Sequence, residues 1–351
     1  MQEVKVQKWY EAPRIAADSV NWKHPSEYWF WASVFVFAFA FAENVILESA
    51  HNAVFFLNNK NLTSFQIFFR HYFYNVFLIA VIIHSVSLYF LNLKNPHQRK
   101  KLYHKSQFNF ACGMTLMLWD IVTVKTRLLP IPYFPSAAEI FCVMYDDRWL
   151  LLKSTVYSMR LFFTGLITGT VLGVGTGTCI GWWKQWDYWL SPIIRVSGVI
   201  PAVAWLPIAL LVLPNSFVTG LFLIFISSWF PVSSMVASGI QSTPKSYFEV
   251  ARTLGADNKF LLFKIAIPNS LPNMFTGIMT ATAFSFTTLI VSEMVGAKAG
   301  LGFYINWAKG WGNYSKVYAA IIIIAIEFSL ILALISVIQR RALRWQKGIL
   351  K

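Results

Sequence analysis

Charge is what this sequence has least of. Only 13% of its 351 residues are Asp, Glu, Lys or Arg, against 56% hydrophobic, and mean hydropathy is +0.53. Soluble domains carry about 25% charge, so a soluble fold of this composition lacks the polar surface to cover itself. Acid is scarcer still: 15 Asp and Glu stand against 30 Lys and Arg. Cysteine is almost absent. Cys112, Cys142 and Cys179 lie in or near apolar runs with no CxxC or zinc spacing, and read as buried thiols. No Walker A pattern occurs, so the chain is not expected to hydrolyse ATP by itself. No acid–base pair, nucleophile triad or metal cluster stands out, which sets aside enzyme chemistry and a resident cofactor. The opening MQEVKVQKWYEAPR mixes charges ahead of a long polar stretch and is not expected to be a cleaved signal peptide.

Long apolar runs are what is present. A spanning helix needs about 20 residues, and eight candidate runs occur, at about 28–48, 72–92, 109–126, 157–182, 194–214, 217–239, 272–292 and 317–338. The third is the weakest and holds Asp120. The expected fold is therefore an all-α polytopic membrane protein of about eight spans. Lys and Arg set its orientation. KNPHQRKKLYHK after the second run and QRRALRWQKGILK after the eighth each hold five Lys or Arg and no acid. Placing both inside puts both termini on the cytoplasmic side of the membrane. The net charge of +15 then reflects orientation and attraction to anionic lipid, not nucleic acid. Trp182, Trp183, Trp186, Tyr188 and Trp189 fit interfacial anchors.

Local signals refine this. Ser136, followed three residues on by Glu139, forms a capping box for a short helix lying at the outer interface. Gly165, Gly169, Gly173, Gly177 and Gly181 recur every four residues in the fourth run, the pattern that lets helix backbones approach closely in lipid. Pro201, Pro207 and Pro214 break the fifth run. Proline removes a backbone donor, and broken spans are tolerated against protein or a watery path. Residues 240–271 form the longest inside loop. A short helix, SYFEVARTL, is expected to end at Gly255. A second, capped by Asp257 or Asn258, is expected to stop before Pro268. From spacing alone, a docking knob and a plain linker fit equally.

That loop resembles the EAA signature of permease subunits in bacterial ATP-binding-cassette importers. Glu249, Val250 and Ala251 hold the first three places, Gly255 and Ala256 the glycine and its neighbour, and Ile267 and Pro268 the hydrophobic-Pro end. Val250 departs from the family's alanine. WLSPIIRVSGVIPAVAWLPIALLVLP, YFPSAAEIF and SEMVGAKAGLGFYINWA are similar to segments of the nitrate, sulfonate, taurine and bicarbonate type. The likeness implies a permease core over 109–345 and a cytoplasmic tail over 346–351, with 1–108 as an additional two-span extension. It implies coupling to an ATPase through Glu249, Ala251, Gly255, Ala256 and Pro268. It implies a second permease copy or a related permease, two cytoplasmic ATPase subunits holding ATP and Mg, and a periplasmic or lipid-anchored substrate-binding protein. A small anionic solute fits that subfamily. Within the spans, Asp120, Arg160 and Glu327 are the polar candidates for the pathway. An ion-coupled secondary transporter, which needs repeated halves and a central ion site, and a non-transport scaffold are the alternative readings.

Overall fold

The computed structural model describes residues 27–46, 64–92, 96–126, 128–129 and 132–345. The basic tail expected over 346–351, Pro130 and part of the first polar connection lie outside the described residues. The fold is all-α. In chain order the helices are α1 (Glu27–Ile46), α2 (Ser64–Leu91), α3 (Pro96–Asp120), α4 (Ala137–Asp146), α5 (Arg148–Trp182), α6 (Lys184–Val199), α7 (Leu206–Val212), α8 (Ser216–Gln241), α9 (Lys245–Thr253), α10 (Asn258–Phe260), α11 (Ile267–Gly296), α12 (Leu301–Gly310) and α13 (Tyr314–Ala342). Among the described residues, six helices are long and apolar enough to cross a membrane, or seven if the bent pair α6–α7 counts as one span. The run expected over 109–126 is not among them. It forms the second half of α3 plus a π turn, Ile121–Lys125, and the basic segment occupies the first half of the same helix.

The described residues fall into two compact units, divided between Cys142 and Val143. In the first, α1 packs on α2 and α3 around Phe37, Ala40, Tyr74 and Leu78. Asn44 donates to Asn75 across α1 and α2 at 2.6 Å. Such a bond pairs a donor of one amide with the acceptor of the other where lipid offers no partner. α4 starts where the sequence places it, with Ser136 Oγ accepting from the Glu139 amide at 3.1 Å.

In the second unit α8 is the central helix, flanked by α5 and α11. The glycine repeat explains one flank. A Cβ at Gly165, Gly169, Gly173, Gly177 or Gly181 would run into Ile224, Ser228, Val232, Val236 and Ile240 of α8 in turn, whereas Gly175 faces open space. One face of α5 is thus kept at backbone height over four turns. Gly277 of α11 seats Met235 and Val232 on the other flank of α8. Leu161, Phe162, Ile224, Val232, Phe286 and Leu289 fill the core between these helices.

One boundary differs from expectation. The helix after Asp257 does not stop before Pro268. It continues from Asn258 to Gly296 as a 39-residue helix. The ladder widens to a π segment over Leu261–Ala266, with the Ile267 amide bonding to the Leu262 carbonyl. Pro268 follows this π segment directly, so the ladder is already rearranged where proline brings no donor.

Candidate functional site

Three features of the second unit bear on function, and the first is the loop between α8 and α11. Helix α9 ends in a Schellman motif. The Ala256 amide bonds to the Ala251 carbonyl at 3.0 Å and the Gly255 amide to the Arg252 carbonyl at 2.9 Å. Gly255 has φ +83°, a conformation that favours glycine. Ala251 is buried and Ala256 half-buried beneath the turn. Asp257 then accepts from the Phe260 amide at 2.9 Å and starts the next helix. Expected residues Ala251, Gly255 and Ala256 therefore build one tight bend. Pro268 lies away from it, in the first turn of α11.

The bend is braced from below. Phe248 meets the Trp182 ring of α5 edge-on at 5.9 Å, and Asn269 of α11 donates to Thr243 at 3.1 Å. Glu249 is exposed and lines a cleft of about 370 Å³ with Trp182, Lys245, Phe248, Arg252 and Leu261. Sequence reasoning missed the outward face. Tyr247, Val250 and Leu254, at i, i+3 and i+7, are 54%, 60% and 83% exposed. Val250, which departs from the family pattern, lies on this apolar face. The signal was present as helical spacing in a loop whose other side is buried.

The second feature is the broken span. α6 and α7 meet at 91° through a short 3-10 turn over Ala202–Trp205, with Pro201 at its start. A cavity of about 460 Å³ opens at the break. Ser197, Ser227, Thr287 and Thr288 line it, their hydroxyls bonded to carbonyls of their own helices. Phe230 and Phe284 supply apolar wall, and among the described residues no charged side chain lines it. Arg160 and Glu327 are not in its lining. Arg160 is exposed on α5, its guanidinium 5.6 Å from the centre of the Phe217 ring. Glu327 is half-buried on α13 with both carboxylate oxygens shielded from solvent. Asp120 belongs to the first unit, buried at the end of α3.

The third feature is a latch at the opposite end of the α5–α11 pair from the loop. Glu293, almost wholly buried, accepts from Ser158 Oγ and from the Gly302 amide, both at 2.9 Å. Ser158 in turn accepts from the Leu301 amide at 2.9 Å. The carboxylate and hydroxyl thus satisfy the first amides of α12 and hold it against α5 and α11. Gly300, at φ +114°, and Gly302 lie so close to Glu293 that a Cβ on either would collide with it. Beside the latch, Asp147 pairs with Lys316 at 2.6 Å and accepts from the Tyr304 hydroxyl at 2.6 Å. Burial, together with that acceptor, pushes the Tyr304 phenol above its ordinary range. Sequence reading marks Glu293 only as the head of a glycine run. Its partner Ser158 lies 135 residues away, so no local pattern joins them.

Among the described residues, no group of three or more His, Cys, Asp or Glu is placed to hold a metal ion. A long-helix membrane bundle with a broken span, a lined cavity and a braced loop defines a transport subunit. Comparison with known proteins makes this specific. Residues 165–346 match the family described as binding-protein-dependent transport system inner membrane component, and the chain belongs to that family. It is similar to the putative aliphatic sulfonates transport permease protein SsuC of Bacillus subtilis, 26% identical over 240 residues, 67% of this chain and 86% of that protein. It is similar to the bicarbonate transport system permease protein CmpB of Synechococcus elongatus, 29% identical over 223 residues, 61% of this chain and 78% of that one. The nitrate import permease protein NrtB of Leptolyngbya laminosa is 32% identical over 184 residues, 52% and 66% of the two chains. Among solved structures, an inward-facing MetNI methionine ABC transporter chain aligns at 21% identity with a TM-score of 0.47, over 56% of this chain and 98% of that one.

The protein is thus a permease subunit of an ABC-type importer, and the ion-coupled and scaffold alternatives fall away. A subunit of this kind works with a second permease copy, an ATPase dimer that handles ATP and Mg, and a substrate-binding protein.

Proposed function

We propose that this permease imports a small anionic solute, and that ATPase closure is passed to it through the loop from Ser242 to Asp257. The observation that carries the proposal is the Schellman bend at Gly255, which presents Tyr247, Val250 and Leu254 outward from a base fixed on α5 and α11. An apolar face on a short, braced helix suits insertion into a partner's cleft, and the rigid base suits transmission of a tilt. Glu249 and Arg252 flank the face and set its register. An anion is supported by the relatives' solutes, sulfonates, bicarbonate and nitrate. The cavity supports it too, since no carboxylate among its described lining residues repels an anion.

On this reading the chain crosses the membrane eight times, with α3 and its π turn as the third crossing and α6–α7 as the fifth. Both termini are cytoplasmic. Residues 1–108 are an N-terminal extension of two spans, 109–345 the permease core and 346–351 a cytoplasmic tail. Arg160 and Glu327 lie on helices that supply no lining residue to the cavity, so any pathway role of theirs is indirect, and Asp120 supports the third crossing.

Cysteine cross-linking tests the docking surface. In a chain with Cys112, Cys142 and Cys179 replaced by serine, Glu249→Cys is expected to cross-link to the ATPase subunit, with a yield that changes on ATP binding. Asn215→Cys, at the far end of α8, serves as the comparison and is expected to give no such product. Equal yields from both positions would defeat the assignment.

A further inference from the structure

The first half of α3 carries a feature that the transport reading leaves unused. Its register is fixed by its neighbours. Gly113 lies against Val36 and Phe37 of α1, a Cβ there standing 3.0 and 3.2 Å from their side chains. Phe110 meets the Trp29 ring edge-on at 5.5 Å. α1 and α3 therefore run side by side in the same direction. Counting back along both helices from Val36 and Gly113 brings Glu27, at the start of α1, level with the turn around His104. α2 ends at this level too, because the Tyr89 hydroxyl donates to Glu27 at 2.5 Å. Tyr28 and Trp31 are exposed here. Aromatic residues at the start of one span and the end of the next mark the headgroup level of a bilayer.

Among the described side chains, the basic residues on α3 divide into two kinds at this level. Arg99 is structural. It pairs with Glu27 at 3.8 Å and donates to the Tyr103 hydroxyl at 2.9 Å. Tyr103 and Ser106 are buried, so this face is turned inward. Lys101, His104, Lys105 and Phe108 lie on the outward face at i, i+3, i+4 and i+7, and all four are exposed. The exposed face thus carries a stripe of two ammonium groups and an imidazole, followed one turn further on by a phenyl ring.

We propose that the Lys101–His104–Lys105 face binds the phosphate headgroup of an anionic phospholipid, with Phe108 against its acyl chain. The proposal rests on α1 and α2 spanning the membrane; on the topology above it concerns the cytoplasmic leaflet. The two ammonium groups stand about 6 Å apart along the helix axis, a spacing from which both reach one phosphodiester. A zwitterionic lipid offers the same phosphodiester beside a choline cation that these lysines repel. A soluble acidic partner would meet the cations but leave Phe108 unused. Placement at the aromatic level favours lipid, since lysines near the surface are attracted to an anionic leaflet.

Native mass spectrometry of the purified full chain tests this, with phosphatidylglycerol or phosphatidylcholine as the added lipid. Lys101→Gln with Lys105→Gln is expected to lower retained phosphatidylglycerol by at least about threefold and to leave phosphatidylcholine unchanged. Raising salt from about 50 to about 500 mM should weaken phosphatidylglycerol retention in the wild type and hardly in the double variant. Lys298→Gln with Lys309→Gln, two exposed lysines of the second unit, is expected to match the wild type. Unchanged phosphatidylglycerol retention in the first variant, or equal losses for both lipids, would overturn the proposal. So would an equal loss in the second variant. If the first variant keeps its lipid but loses the ATPase subunit on purification, the face is a protein contact and the lipid assignment fails. Both exposed lysines lie in a helix that glutamine favours equally, and a monodisperse elution profile checks that the variant is folded.

Discussion

Glu293 shows how one buried side chain sets the rules for its neighbours. A carboxylate sealed from water needs donors, and Oε2 obtains them from Ser158 and the Gly302 amide, whereas Oε1 has no hydrogen-bond partner among the described residues. The amide bond is made because Gly300 and Gly302 bring bare backbone up to Glu293. Gly300→Ala adds a Cβ where the carboxylate sits and forces an L side chain to φ +114°. It should cost about 1–3 kcal/mol, read as a lower temperature of half-loss of monodisperse protein in detergent. Gly310→Ala, with open space around its Cβ, should be neutral or slightly stabilising. Some of this scale is legible in the sequence and some is not. Asp257 and Ser136 cap the helices that follow them because a cap acts across three residues. The glycines after Glu293 are visible as a run, but their reason lies in Ser158 and the fold that brings it near.

At the scale of elements, packing in lipid is governed by how closely backbones approach, not by apolar burial alone. The four-residue glycine repeat in α5 makes that face legible in advance, and the partner α8 supplies a side chain at every step. Gly169→Leu should push α5 from α8 and cost about 1–3 kcal/mol or more, seen as a loss of monodisperse yield and of thermal stability. Gly175→Leu, on the open side, should leave both unchanged. Equal damage from the two would mean that the α5–α8 face is not the packing surface. Element ends were harder to read. Pro268 looks like a stop because proline removes a donor, but a π segment shifts the ladder ahead of it and the helix runs on. The helix through Asp120 begins thirteen residues before the expected span, since nothing in the basic segment from Pro96 breaks a helix. Hydropathy marks where a helix is apolar, not where it starts.

At the scale of the whole molecule, the chain is a permease subunit, and on the proposed reading motion at the Gly255 loop becomes a changed opening elsewhere. The latch at Glu293 and the bend at Gly255 stand at opposite ends of the continuous Asn258–Gly296 helix. The central claim is that the Gly255 bend is the point of coupling. ATP hydrolysis, stimulated by the loaded substrate-binding protein, tests it most directly in complexes of permease and partner ATPase. Gly255→Trp fills open space beside the exposed apolar face, whereas Gly255→Ala imposes the same backbone strain without bulk. The account expects stimulated hydrolysis to fall by at least about tenfold in the tryptophan variant and to remain within about twofold of wild type in the alanine variant. Stimulated hydrolysis at the wild-type rate in Gly255→Trp, with the ATPase still bound, would contradict it.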